Sequence, residues 1–309
     1  HKEWSDLPWV ERASLMLRVA ELLSTKYRYV LNASVMLGQS KNPFQAEIDA
    51  PCELIDFLRF STFYASQVYA DQPYSEKGTL NRMEYRALEG FVFSLTPFNF
   101  TSIASNLNMA PAMMGNVAVW KPSTTALYSN YFLMKVFKEA GLPGQGSVIG
   151  KVITASPDLA GFHFTGSTTT FNTLWRQIGE NLGHYKSYPK IVGETGGKNY
   201  IFAHPSASAL DVATAIVRGA FEYQGQKCSA GSRAYIPASL WKEVKEYVGD
   251  MLKEIKMGDV RDFSNFINAV IDEASFDNIM SYIEYAKQSP DAEIVFGGHG
   301  DKSVGYFVE

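Results

Sequence analysis

From Trp9 onward apolar side chains return every three or four positions, through Val10, Ala13, Leu15, Met16, Val19, Leu22 and Leu23. That is the period of an amphipathic helix, and Pro8 suits its first turn. The same spacing predicts a second long helix over residues 44–69, interrupted at Pro51-Cys52. Residues 71–81 are polar and contain Pro73 and Gly78, which marks a turn or excursion. Beyond it, short apolar runs alternate with helical spacing. Strands are expected at 83–86, 91–95, 117–120, 161–164, 199–203, 234–236 and 293–296, and helices at 103–114, 127–140, 173–182, 209–223, 240–257 and 274–287. Gly141 is placed as a helix stop. Strand following helix in this way predicts an α/β protein built on a parallel, doubly wound sheet.

Composition narrows the class. The chain has 309 residues, 46% hydrophobic and 19% charged, in the ordinary range for a soluble globular protein. That length exceeds one typical core, so two packed units are expected. A net charge of −4 argues against a nucleic-acid or anionic-membrane surface, and no apolar run has membrane-spanning length. The two cysteines, Cys52 and Cys228, do not make a disulfide scaffold and point to a reducing compartment. The five histidines form no close pair, so no metal site is predicted. Cys52 lies among Ala50, Leu54 and Ile55 and reads as a packing residue.

Three polar residues stand at strand ends or in glycine-rich breaks: Asn99, Glu194 and Cys228. Cys228 has Gly225-Gln-Lys227 before it and Ser229-Ala-Gly after it. Small neighbours suit a sulfur that must be reached, and a nearby ammonium favours the thiolate. A thiol nucleophile, a carboxylate base and an amide donor together support acyl or aldehyde chemistry. Each also has a plainer reading: Asn99 as a turn cap, Glu194 as a solvated loop carboxylate, Cys228 as packing. Lys121 closes an apolar strand before Pro122, where ligands of open α/β sheets collect; a plain surface lysine is the competing reading. Gly166-Ser167-Thr168 joins a strand to a helix, an arrangement that offers backbone N–H groups to a phosphate. It lacks the three-glycine dinucleotide fingerprint. Lys198 and Lys227 are ambiguous by spacing, and His184 and His204 read as structural.

Taken together these segments resemble the aldehyde dehydrogenase superfamily along nearly the whole chain. Thr96-Pro-Phe-Asn-Phe100 is similar to the segment carrying its oxyanion asparagine, and Val119-Trp-Lys-Pro-Ser123 to its nucleotide-ribose lysine motif. Phe164-Thr-Gly-Ser167 is similar to its pyrophosphate turn. Glu194-Thr-Gly-Gly-Lys-Asn199 resembles its glutamate motif, with Thr195 where many members carry leucine, and Gly225-Gln-Lys-Cys-Ser-Ala230 its nucleophile segment. The resemblance implies a Rossmann-type NAD-binding domain over 1–70 and 88–196, part of a small oligomerisation hairpin over 71–87, and a C-terminally incomplete catalytic domain over 197–309. It implies Cys228, Glu194 and Asn99 as catalytic residues. Thr96, Lys121, Gly166, Ser167, Thr168, Thr169 and Thr170 would bind the cofactor, NAD with NADP as an alternative.

Within the superfamily, Gln39-Ser-Lys-Asn-Pro-Phe-Gln-Ala-Glu-Ile-Asp49, Pro97-Phe-Asn-Phe-Thr101 and Gln226-Lys-Cys-Ser-Ala230 resemble the branch that oxidises L-glutamate 5-semialdehyde to L-glutamate in proline degradation. The resemblance then implies that Lys227 and Ser229 hold the substrate α-carboxylate, that Phe100 packs on its aliphatic part and that Glu47 faces its ammonium. It also implies a homodimer or larger homo-oligomer, located in the cytoplasm of a bacterium or the mitochondrial matrix of a eukaryote. The chain departs from the pattern twice. It stops at Gly305-Tyr-Phe-Val-Glu309, before the family's Glu-Ile-Phe-Gly-Pro motif and later carboxylate-binding loop, and Gly141–Ser147 is shorter than the family's segment. Further residues are expected in both places. A dehydrogenase of broader semialdehyde specificity, a catalytically silent binding or assembly module and a cofactor-independent thiol hydrolase stand as alternatives.

Overall fold

The computed structural model describes residues 1–144 and 152–309; part of the shortened segment after Gly141 therefore lies outside the described residues. The chain divides into two compact units, His1–Ser34 with Glu47–Thr195, and Val35–Ala46 with Gly196–Glu309. The sequence reading assigned residues 35–46 to the first domain, whereas here this strap belongs to the second unit.

The chain opens with the helices α1 (Lys2–Asp6), α2 (Trp9–Ser24), α3 (Arg28–Gln39), α4 (Pro43–Glu47) and α5 (Glu53–Ala70). Pro8 caps α2 rather than entering its first turn. The hydrophobic pattern does not single out α3, because Tyr29, Val30 and Leu37 face solvent while Leu31 and Val35 are buried. The expected break at Pro51 is a π-helical turn, Ile48–Cys52, between α4 and α5. Proline has no N–H for the α-helical ladder, and a wider turn absorbs the mismatch. Arg12 of α2 is buried, and it donates to the Met113 carbonyl (2.9 Å) and the Tyr69 hydroxyl (3.1 Å). The first bond puts a cation on the negative end of a helix.

The first unit is built on four parallel strands, β1 (Phe91–Leu95), β2 (Val117–Lys121), β3 (Leu159–Gly166) and β4 (Lys190–Thr195), in the order β2-β1-β3-β4. Helices α6 (Thr101–Met113), α7 (Leu127–Ala140) and α8 (Thr168–Glu180) connect them. In β1 and β3, period-2 alternation sorts the side chains between two buried faces. On one face Phe93, Phe162 and Phe164 pack with Ile178 and Phe171 of α8, each buried ring contributing about 1.5–3 kcal/mol. Gly193 belongs to this contact, since a Cβ there would lie 2.3 Å from the Phe171 ring. On the other face Ser94 Oγ and His163 Nδ1 both donate to the Leu107 carbonyl of α6, at 2.9 and 3.0 Å.

The second unit holds the parallel pair β5 (Asn199–Phe202) and β6 (Gly231–Tyr235). Beside them α9 (Ala209–Ile216) and α10 (Ala238–Glu254) bury Val212, Ala213, Val244 and Val248 against Ala203. Helix α11 (Glu273–Gln288) and the short antiparallel pair β7 (Gly300–Asp301) and β8 (Phe307–Val308) complete it.

Three expectations are corrected. Residues 83–86 and 293–296 are not strands. Instead of a backbone ladder, side chains stitch 72–83: Gln72 exchanges bonds with the Met83 backbone, and Asn81 bonds Ser75 and the Tyr74 carbonyl. Around 293–296, Ile294 and Phe296 stay exposed, and among the described residues no strand pairs with them. The helix expected over 209–223 stops at Ile216, where a π turn (Val217–Phe221) and a left-handed turn replace it.

Candidate active site

The parallel sheet gathers the candidate residues of the first unit on one edge. Leu95 pairs with Lys121 on one side and Phe164 on the other, and Thr165 pairs with Glu194. The carboxyl ends of all four strands therefore deliver Thr96, Lys121, Gly166 and Glu194 to the same end of the sheet. The chain leaves β1 to form β2 on one side and returns to form β3 on the other. The reversal falls between β1 and β3, and the carboxyl ends of strands at such a reversal are the usual ligand position in open α/β sheets.

Each loop at this edge is fixed differently. Thr96 is buried; its N–H donates to the Lys121 carbonyl (3.2 Å) and its Oγ1 accepts from Trp120 Nε1 (2.9 Å). Asn99 follows in the bend before α6, half-buried, and Phe100 is the buried N-cap of that helix. Lys121 is exposed. Ser167 caps α8, accepting from the Thr170 N–H at 3.2 Å, and Thr168, Thr169 and Thr170 form its exposed first turn. The first N–H groups of a helix have no partner within it, so this turn offers donors and a positive dipole end to an anion. Glu194 is not on a loop, as its glycine neighbours suggested. It is the exposed fifth residue of β4, held by strand pairing.

Cys228, Lys227 and Ser229 belong to the second unit, on a segment held from several directions. Tyr223, Gln224 and Gly225 are three consecutive residues with positive φ, at 50°, 54° and 68°. Only glycine adopts this conformation without strain, so Tyr223 and Gln224 need compensation. The Tyr223 ring is fully buried, its hydroxyl donates to the Gln39 carbonyl (2.8 Å), and Lys41 Nζ lies 4.4 Å from its centroid. Gln224 Nε2 donates to the carbonyls of Ala269 (2.8 Å) and Ser40 (3.3 Å). Gln226 Oε1 accepts from the Ile271 N–H (3.0 Å). After the turn, Asn199 Nδ2 donates to the Cys228 carbonyl at 2.6 Å. Cys228 itself is half-buried and carries no disulfide.

The ammonium beside the sulfur has a carboxylate partner. Lys227 Nζ lies 3.0 Å from Glu222 Oε1, and Glu222 Oε2 lies 3.3 Å from Arg218, whose guanidinium carbon is 5.9 Å from the Phe44 ring centroid and 5.4 Å from that of Phe266. Lys227 is therefore one half of an ion pair rather than a bare cation tuning the thiol. Ser229 is exposed.

Glu47 lies in the first unit, where Arg28, Asn32 and Cys52 all donate to its carboxylate, the thiol at 3.3 Å. Burial pushes the Glu47 carboxyl up, but the bonds from Arg28, Asn32 and Cys52 outweigh it and leave the group below the usual carboxylate range. Burial, then the Glu47 carboxylate, raises the Cys52 thiol above its ordinary value. Cys52 is thus half-buried in a polar cluster rather than packed among aliphatic residues. Sequence reading missed Glu222, Asn199, Tyr223 and Gln224 as site residues. The signals were slight: a carboxylate four positions after Arg218, and an asparagine opening a strand. Among the described residues no group of three or more His, Cys, Asp or Glu side chains is arranged to hold a metal ion, and no helix is long and apolar enough to cross a membrane.

Comparison with known proteins gives the family. The model of the Aldehyde dehydrogenase family matches residues 1–309. The chain is 51% identical to the mitochondrial delta-1-pyrroline-5-carboxylate dehydrogenase of Dictyostelium discoideum over 99% of its own length and 57% of that protein's. It is 46% identical to the human mitochondrial enzyme of that name, covering 56% of it. A crystal structure of the Delta-pyrroline-5-carboxylate dehydrogenase from Mycobacterium tuberculosis bound with NAD superposes with a TM-score of 0.96 at 49% identity. That match covers 99% of this chain and 59% of the other. The chain thus spans somewhat over half the length of the relatives it matches.

Proposed function

The chain belongs to the aldehyde dehydrogenase family, and from that membership we propose that it serves the NAD-dependent oxidation of L-glutamate 5-semialdehyde to L-glutamate. The observation that carries this reading is the four-strand edge bearing Asn99, Lys121, Ser167 and Glu194. It is supported by a cysteine segment anchored through Tyr223, Gln224 and Asn199. The names of the relatives favour this substrate and a proline-degrading role, and the NAD-bound neighbour favours NAD over NADP.

The residues at the sheet edge suit a dinucleotide. The first turn of α8, with Gly166 and Ser167 before it and Thr168, Thr169 and Thr170 within it, would hold a pyrophosphate, Lys121 a ribose hydroxyl, and Thr96 would border the nicotinamide. The bound dinucleotide supplies the acceptor for the two electrons that the aldehyde carbon gives up. The protein does the rest. The Cys228 thiolate attacks the aldehyde carbon to give a thiohemiacetal, whose oxyanion is met by the Asn99 amide and the Cys228 N–H. Once the carbon has been oxidised to a thioester, Glu194 takes a proton from the water that hydrolyses it. Lys227 and Ser229 hold the substrate α-carboxylate, and Phe100 packs on its aliphatic part. In this reading 71–87 belongs to an oligomerisation hairpin, the assembly is a homodimer or larger, and the compartment is the mitochondrial matrix for a eukaryotic source.

The test is a pair of variants. Cys228→Ala abolishes semialdehyde oxidation while NAD binding persists. Glu194→Gln gives a single burst of NADH without steady turnover. Retained oxidation in the first, or an unchanged steady rate in the second, ends the corresponding assignment.

A further inference from the structure

Lys227 does not stand alone beside the nucleophile. It lies 3.0 Å from Glu222, and both side chains are largely shielded, at 15% and 20% exposure. The other cation on Glu222, Arg218, is at 3.3 Å and half-exposed, so water screens its charge more strongly. Within the shielded part of the cluster, a positive and a negative charge therefore stand side by side.

Such a pair discriminates between kinds of carboxylate ligand. A ligand bearing only a carboxylate is drawn to Lys227 but repelled by Glu222, so the two terms partly cancel. A ligand that also bears an ammonium on the adjoining carbon lies antiparallel to the pair, carboxylate to Lys227 and ammonium to Glu222. Repulsion becomes attraction, and like-charge rejection of the wrong ligand supplies specificity. Glu47 is a weaker candidate for the ammonium, because three donors, Arg28, Asn32 and Cys52, already meet its carboxylate, and a carboxylate has roughly four acceptor positions.

We propose that Glu222, paired with Lys227, is the residue that reads the α-ammonium and selects α-amino-acid semialdehydes over their deamino counterparts. This rests on the proposed reading that Lys227 holds the substrate carboxylate, and it moves the ammonium contact from Glu47 to Glu222.

The experiment compares L-glutamate 5-semialdehyde with 5-oxopentanoate, the same carbon chain without the amino group, in the full chain and in Glu222→Gln. In the variant, kcat/KM for the amino substrate falls about tenfold or more through KM, while that for 5-oxopentanoate rises. Structural damage lowers both alike, so a parallel loss, or an unchanged ratio, overturns the proposal. So does a loss confined to the amino substrate in Glu47→Gln with no change of ratio in Glu222→Gln. A turnover-free measurement separates this from the dehydrogenase reading: protection of Cys228 from iodoacetamide by L-glutamate and by glutarate. Preferential protection by L-glutamate that reverses in Glu222→Gln supports the proposal even if no aldehyde is oxidised. Absence of that preference overturns it even if oxidation is rapid.

Discussion

Gln224 tests whether the chain before the nucleophile is left-handed. Two substitutions there remove the same side chain and differ only in backbone freedom. Both Gln224→Ala and Gln224→Gly lose the bonds to Ala269 and Ser40, about 1 kcal/mol each. Both also remove the buried Gln224 Oε1, which has no hydrogen-bond partner among the described residues, so the net loss for alanine is about 1–2 kcal/mol. Alanine then keeps the cost of φ at 54°, about 1–2 kcal/mol for a residue with a Cβ, whereas glycine escapes it. Against that, glycine gives up about 0.5–1 kcal/mol of extra chain entropy on folding. Gln224→Gly should therefore be the more stable variant by about 0.5–1 kcal/mol, the reverse of the helix order, in which alanine leads by about 1 kcal/mol. Urea unfolding resolves this as a shift of the midpoint by a few tenths molar at unchanged slope. A Gln224→Ala protein as stable as Gln224→Gly, or more so, would refute the left-handed turn and the anchoring derived from it.

Two further outcomes are expected. Ser167→Ala removes the α8 cap and should cost about 1 kcal/mol in urea unfolding; Ser167→Asp, which restores an acceptor, should recover most of it. Burial holds His163 below its usual pKa against the opposing bond to the Leu107 carbonyl, so on acidification the unfolded chain takes the proton first. The His163 contribution is intact above about pH 6.5 and is lost as pH falls from there toward the folded value, at up to about 1.4 kcal/mol per pH unit. His163→Gln should flatten that slope, and an equal slope in the variant would show that other groups carry it.

Strands β1, β2 and β3 were legible because their apolar runs are short and separated by helical spacing, whereas β4, mostly exposed and interrupted by Gly193, carries no such run. Helix α7 was read with its true ends because Gly141, at φ 96°, closes it. Residues 83–86 and 293–296 misled because local strand propensity counts only where a neighbouring strand accepts the ladder. The glycines around Glu194 suggest a break in structure, whereas Gly193 lies within β4 and lets Phe171 approach it. The anchoring of the cysteine segment was hidden because its partners, Gln39, Ser40 and Ala269, contribute backbone carbonyls, which have no sequence signature. Glu222 was passed over because an i,i+4 pair with Arg218 usually marks a solvated helix face.

The strand order also sets a timetable for synthesis. β1 is an inner strand, yet its second neighbour, β3, begins only at Leu159. On the ribosome Phe91-Val-Phe-Ser-Leu95 can pair with β2 early, but its other edge stays open until some forty further residues have been made, at about 5–20 residues per second. For those seconds an apolar strand edge is available to a neighbouring nascent chain. A chaperone that engages ribosomes paused before Leu159 and releases them once β4 has emerged would be protecting the strand on which the Asn99 loop is built.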